Sequence, residues 1–194
     1  IGNFAFDECT SLTSVYIQNS THSSSSSNLI SYFNMFLSKI INISKDSLII
    51  GSNAFRSCSS LTKLIISTTV TEIGQFVTKM FYKSFAIFKK CSSLREIIIP
   101  TSVTEIGEFA FQDCSSLTKL IIPTTVTKIG QYAISGCKSL TNINLPTSLT
   151  KIEEYLFWEC SSLQEIIIPT SITEIGNCAF CECSSIQKVT IPTS

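Results

Sequence analysis

Apolar and polar positions along this chain recur with a period of 23 residues, and one phrase carries the period: I-G-x-x-A-F-x-x-C-S-S-L-T-x-I-x-I-P-T-S-V-T-x. Copies run without a gap over Ile106–Lys128, Ile129–Lys151, Ile152–Glu174 and Ile175–Ser194, the last one cut short. Within each copy L-T-x-I-x-I-P alternates apolar and other residues, the period of a strand. The prolines Pro100, Pro123, Pro146, Pro169 and Pro192 follow that strand directly, where a missing backbone donor ends a ladder at little cost. The segment S-V-T-x-I predicts a second, weaker strand. A-F-x-x-C has helical spacing and predicts one short helical or 3-10 turn on the opposite, convex side. A fixed period of this length means a solenoid, in which each coil buries its apolar face only against its neighbours.

Upstream copies are disturbed. Residues 1–23 hold a first repeat, 50–72 a clean one, and 73–105 one whose cysteine, Cys91, arrives ten residues late. The extra residues include Phe76, Met80, Phe81, Phe85 and Phe88, spaced as the apolar face of a helix inserted before Cys91 and packed on the convex side. From Ile1 to Ile50 the gap is 49 residues, two periods plus three. Residues 24–49 therefore read as a serine loop followed by a degenerate repeat whose apolar positions include Ile41 and Ile43. The count is eight coils, stacked as a parallel concave sheet of about eight strands. Neither end shows the polar cap that a solenoid needs, so 1–194 is expected to be a single solenoid cut from a longer chain.

Two other columns shape the coil. Phe6, Phe55, Phe88, Phe111, Phe157 and Phe180, with Ile134 substituting once, predict a buried aromatic spine. Each such side chain contributes roughly 1.5–3 kcal/mol when buried. Gly2, Gly51, Gly74, Gly107, Gly130 and Gly176 predict a turn of positive φ, with Glu153 breaking the column. The phrase resembles the BspA-like, or Treponema-type, leucine-rich repeat, most strongly over Ile50–Glu72 and Cys91–Ser194. The resemblance implies a curved leucine-rich-repeat solenoid with a concave parallel sheet, carried on surface-exposed microbial proteins that adhere to host matrix or to other cells. The expansions before Ile50 and Cys91 depart from the regular pattern.

Composition narrows the partners. Only 14% of residues are charged and the net charge is +0, which serves neither nucleic acid nor an anionic membrane. The apolar stretch Leu29–Ile43 is broken by Ser31, Asn34, Ser38, Lys39 and Asn42, so no membrane insertion is expected in this segment.

Nine cysteines invite a metal or a disulfide. Seven of them (Cys9, Cys58, Cys91, Cys114, Cys137, Cys160 and Cys183) fill one repeat column, which packing explains: reduced, buried thiols bonded to loop carbonyls. Cys178 and Cys181 fall outside the column and with Cys183 make C-x-x-C-x-C. No fourth Cys or His lies near them in sequence, so no metal is expected, and a Cys178–Cys181 disulfide stays open for a secreted protein. The sole histidine, His22, sits beside the serine run, a poor place for a base that must be held against a nucleophile. No phosphate-cradling glycine loop is present. Neither enzyme activity nor a cofactor is expected. The sequons at Asn19 and Asn42 carry no weight.

Function then falls to the concave face, where residues between the buried strand positions point outward. One outward column runs Tyr16, Asn42, Ile65, Ile98, Ile121, Asn144, Ile167, Thr190, and its neighbour runs Ser14, Ile40, Lys63, Glu96, Lys119, Asn142, Glu165, Lys188. Candidate partner contacts are Tyr16, Lys63, Ile65, Glu96, Ile98, Lys119, Ile121, Asn142, Asn144, Glu165 and Ile167. Exposed contiguous isoleucine marks an interaction surface, although strand propensity alone also favours it. Alternating charges hold register between near-identical coils. The reading is a protein-binding module, part of a cell-surface adhesin for host matrix or cell-surface proteins. An intracellular, cytoplasmic scaffold and a structural spacer are the alternatives, and the sequence leaves the oligomeric state open.

Overall fold

The computed structural model describes residues 4–18, 39–42, 48–51, 53–66, 70–73 and 86–191. In chain order the strands are β1 (Ser14–Gln18), β2 (Lys39–Asn42), β3 (Leu48–Ile50), β4 (Lys63–Ile65), β5 (Val70–Ile73), β6 (Glu96–Ile98) and β7 (Glu105–Ile106). They continue as β8 (Lys119–Ile121), β9 (Lys128–Ile129), β10 (Asn142–Asn144), β11 (Lys151–Ile152), β12 (Glu165–Ile167), β13 (Glu174–Ile175) and β14 (Lys188–Thr190). All pairings are parallel, as a chain winding one way round requires. The expected L-T-x-I-x-I strands form a five-stranded run, β2-β1-β4-β6-β8, and a three-stranded run, β10-β12-β14. The weaker S-V-T-x-I strands form the runs β3-β5-β7-β9 and β11-β13. The expected single sheet of about eight strands is thus hydrogen-bonded as two runs, with β8 and β10 in contact but outside one ladder.

Burial follows the alternation. Ile97, Leu120, Ile143 and Ile166 point inward between exposed neighbours and join the columns of Leu94, Leu117, Leu140 and Leu163 in one core. After β6, β8, β10 and β12 the proline carbonyl accepts a turn bond three residues on, as in Val103 N–H to Pro100 O at 3.0 Å and Val126 N–H to Pro123 O at 3.1 Å. Phenylalanines stack coil upon coil, with ring centroids 5.0 Å apart for Phe6–Phe55, 5.5 Å for Phe55–Phe88 and Phe88–Phe111, and 5.3 Å for Phe157–Phe180. Threonine hydroxyls staple successive coils: Thr118 donates to Arg95 O at 3.0 Å and Thr173 to Thr150 O at 3.1 Å.

The A-F-x-x-C turn differs from expectation. Among the described residues no helix occurs. Instead, two positions per coil take positive φ, for example Phe109 and Asp113 at 58° and 60°, and Tyr155 and Glu159 at 57° and 56°. A helix needs an unbroken right-handed run, which these residues interrupt. Alternate N–H groups then aim along the solenoid axis. Phe109, Phe111 and Asp113 donate to Gln131, Ala133 and Ser135 of the next coil at 3.0, 2.8 and 2.9 Å. The intervening groups close turns within the coil, as Gln112 N–H does on Phe109 O at 3.1 Å. A non-glycine residue in the left-handed region costs about 1–2 kcal/mol, and this third inter-coil ladder offsets it.

The glycine column is likewise not explained by positive φ, which among the described glycines only Gly136 adopts. It is explained by close approach: a Cβ on Gly130 would stand 2.6 Å from Glu108 N, and one on Gly176 would stand 2.6 Å from Glu154 N. Glu153 carries that Cβ. At this part of the solenoid the strand ladders lapse: β9 does not pair with β11, nor β8 with β10, and Tyr132 N–H reaches Glu154 O only at 3.4 Å.

β2 does not come between the strands β1 and β4. β1 pairs directly with β4, while β2 lies on the outer edge of β1. The register there sets Tyr16 beside Ile40 and Gln18 beside Asn42, so the alignment that put Asn42 in the Tyr16 column is off by two residues. A free strand edge offers backbone donors and acceptors to any nearby segment, and β2 takes it. The helix expected before Cys91 falls on 74–85 and, with His22, Asn19 and the serine run, lies outside the described residues.

Candidate partner-binding face

The outward face of the main sheet is set by register. Glu96 pairs with Lys119 and Ile98 with Ile121 across β6 and β8, and Asn142 pairs with Glu165 and Asn144 with Ile167 across β10 and β12. Ile98 is 55% exposed, Ile121 40% and Ile167 56%, whereas the residues on either side of each, Ile97 and Ile99, Leu120 and Ile122, Ile166 and Ile168, are buried. As the expected column has it, Ile98 and Ile121 are adjacent and Asn144 lies between Ile121 and Ile167; the strand ladder lapses between β8 and β10, although those strands remain in contact. Tyr16 pairs with Ile65, and Lys63 with Ser14 and Glu96, by backbone register. The side chains of Tyr16, Lys63 and Ile65 lie outside the described set.

The charges flanking the isoleucines neutralise one another. Lys119 Nζ lies 2.6 Å from Glu96 Oε1, and Lys188 Nζ lies 2.6 Å from Glu165 Oε1. Exposed pairs of this kind add only about 0.2–1 kcal/mol. Their larger effect is local, since they leave the isoleucine strip bordered by a rim without net charge.

The cysteine column lies away from this face, inside the coil. Cys58, Cys91, Cys114, Cys137, Cys160 and Cys183 donate to the carbonyls of Phe6, Phe55, Phe88, Phe111, Ile134 and Phe157 at 3.0 to 3.4 Å. Burial pushes their thiols up, to about 12 for Cys58, about 11 for Cys183 and well above the ordinary value for Cys91, Cys114 and Cys137. Such thiols are poor nucleophiles. They are structural donors. Among the described residues no three His, Cys, Asp or Glu side chains gather as a metal site, and no helix is long and apolar enough to cross a membrane.

A second aromatic stack escaped the sequence reading. Phe109, Tyr132 and Tyr155 stack at 5.1 and 4.6 Å on the turn side, and Lys89 Nζ sits 5.5 Å from the Phe109 ring centroid. Its signal was present: three consecutive copies place an aromatic just before the alanine position.

The sequence pattern and this geometry converge on one relationship. The BspA type leucine-rich repeat region matches residues 1–87 and 82–194, in six copies. The chain belongs to the BspA-type leucine-rich repeat family. This BspA-type chain is similar in fold to the crystal structure of the T. pallidum leucine-rich repeat protein TpLRR, with a TM-score of 0.70 and 23% identity over 96% of this chain and 70% of that one. It is also similar to a leucine-rich repeat protein from Bacteroides ovatus, with a TM-score of 0.54 and 25% identity. There the match covers 76% of this chain and 47% of the other, so the BspA-type chain spans less than half the length of the B. ovatus protein. No curated protein matches the sequence.

Proposed function

We propose that this chain is a non-enzymatic protein-binding module that takes its partner on the outward, concave-side face of the main sheet. The observation that carries the reading is the pairing of Ile98 with Ile121, two exposed isoleucines on adjacent strands. Such side chains offer a partner apolar area to bury. The self-neutralised Glu96–Lys119 and Glu165–Lys188 pairs around them favour a protein over a polyanion. Glu96, Lys119, Asn142, Asn144, Glu165 and Ile167 extend the contact, with Tyr16, Lys63 and Ile65 at its other end. Membership of a leucine-rich repeat family supports the role of interaction module.

The parent protein, on this reading, is a cell-surface adhesin and the partner a host matrix or cell-surface protein. That placement rests on the family alone. The test is capture of intact host cells and of purified matrix proteins by the chain and by an Ile98→Glu/Ile121→Glu variant. Capture that the variant loses supports the reading. Equal capture by both, or none by a folded chain, contradicts it and favours a spacer.

An intracellular scaffold of the same fold is the second reading. It draws on the ladder of thiols, which suits a reducing compartment. Fractionation of cells that make the parent protein separates the two.

A further inference from the structure

Two cysteines stand outside the ladder. Cys178 and Cys181 are exposed, while Cys91, Cys114, Cys137 and Cys160 are buried and bonded to carbonyls. They flank Ala179 and Phe180, the residues that the coil inserts into the core: Ala179 is buried and Phe180 stacks on Phe157 at 5.3 Å. Cys181 N–H donates to Cys178 O at 3.2 Å, closing a four-residue turn. Such a turn keeps its end Cα atoms within about 7 Å, and disulfides span about 4.4–6.8 Å.

The turn is held in that shape from outside. Tyr155, Phe157 and Glu159 of the preceding coil donate to Asn177, Ala179 and Cys181 at 3.0, 2.8 and 3.0 Å. The backbone that sets the separation of the two thiols is thus fixed independently of any bond between them. A hydrogen bond with the Cys178 side chain raises the Cys181 thiol.

We propose that Cys178 and Cys181 form a dithiol redox site on the solenoid surface, which exchanges with low-molecular-weight disulfides and closes to an intramolecular disulfide. The Cys178 thiolate displaces one thiol from the small disulfide and forms a mixed disulfide. Cys181, losing its proton to solvent, then attacks the Cys178 sulfur and expels the second thiol. Two protein thiols are oxidised, one small disulfide is reduced to two thiols, and the balance closes. The closed bond ties the turn that seats Ala179 and Phe180.

The experiment treats the reduced, folded 194-residue chain with glutathione disulfide and maps cysteine-containing peptides by mass spectrometry. The expected result is a Cys178–Cys181 disulfide in the unchanged chain. Cys178→Ser and Cys181→Ser, checked for folding by circular dichroism, should each instead retain a glutathione adduct on the remaining cysteine. A stable adduct on either cysteine of the unchanged chain would overturn the proposal, as would no reaction at both, or a bond from either to Cys183.

Discussion

The Cys114 thiol donates to the carbonyl of Phe88 at 3.1 Å, one coil back and inside the core. The same bond recurs from Cys91 to Phe55 at 3.1 Å and from Cys137 to Phe111 at 3.4 Å. A column of buried weak donors thus meets a column of carbonyls that the turn leaves facing inward, where an unmet acceptor would cost about 1–3 kcal/mol.

This column predicts a dependence on alkaline pH. Burial raises these thiols in the folded state, so the unfolded chain releases protons near the ordinary value of about 8.5 that the folded chain still holds. The resulting stabilisation is complete below that range and is lost as pH rises toward the folded values, about 11 for Cys183 and about 12 for Cys58. Thermal midpoints should therefore hold to about pH 8 and fall beyond it. In Cys91→Ala/Cys114→Ala the fall should be shallower, starting from a lower midpoint. An equal slope in both proteins would remove the thiols from the explanation.

The seam at Glu153 gives a pair of opposed substitutions. Glu153→Gly returns the column residue to glycine, and should restore slowed amide exchange at Tyr132, whose bond to Glu154 is 3.4 Å long. Gly130→Ala places a Cβ 2.6 Å from Glu108 N and should destabilise the fold by roughly 1–3 kcal/mol in urea titrations. If Gly130→Ala is neutral, close approach is not what the column requires.

Two aromatic stacks should differ in weight. Phe111 is fully buried, and Phe111→Ala is expected to cost about 3–5 kcal/mol. Phe109, half-buried on the turn side, should cost markedly less when replaced by alanine, since it loses a stacking partner rather than a place in the core. Comparable losses would mean that the outer stack carries as much of the fold as the spine.

What could be read ahead of the structure followed from periodicity. The strand positions, the core columns of Phe111, Leu117, Leu120 and Val126, and the pairing of Ile98 with Ile121 are all consequences of a strict repeat and of alternation. The handedness of the turn was not legible. Its left-handed positions hold Phe109, Asp113, Tyr155 and Glu159, and among these residue types only the aspartate favours positive φ. Hydrogen bonding to the next coil selects that conformation, and no single copy of the phrase contains it. The place of β2 was hidden for a related reason: a degenerate repeat has too few marked positions to define register, and a two-residue slip preserves its alternation. On the candidate face, the sequence showed which residues point outward but not that the strand ladder lapses between β8 and β10.

The most direct test is a binding titration of three folded proteins against a matrix or cell-surface protein found to bind the unchanged chain in the capture assay. They are the unchanged chain, Ile98→Glu/Ile121→Glu, and Thr147→Glu, which changes an exposed turn residue off the face. The account predicts that the double variant weakens binding at least about a hundredfold, the equivalent of about 2.7 kcal/mol, while Thr147→Glu leaves it unchanged. Full affinity in Ile98→Glu/Ile121→Glu, with the fold intact, would contradict the placement of the site on this face.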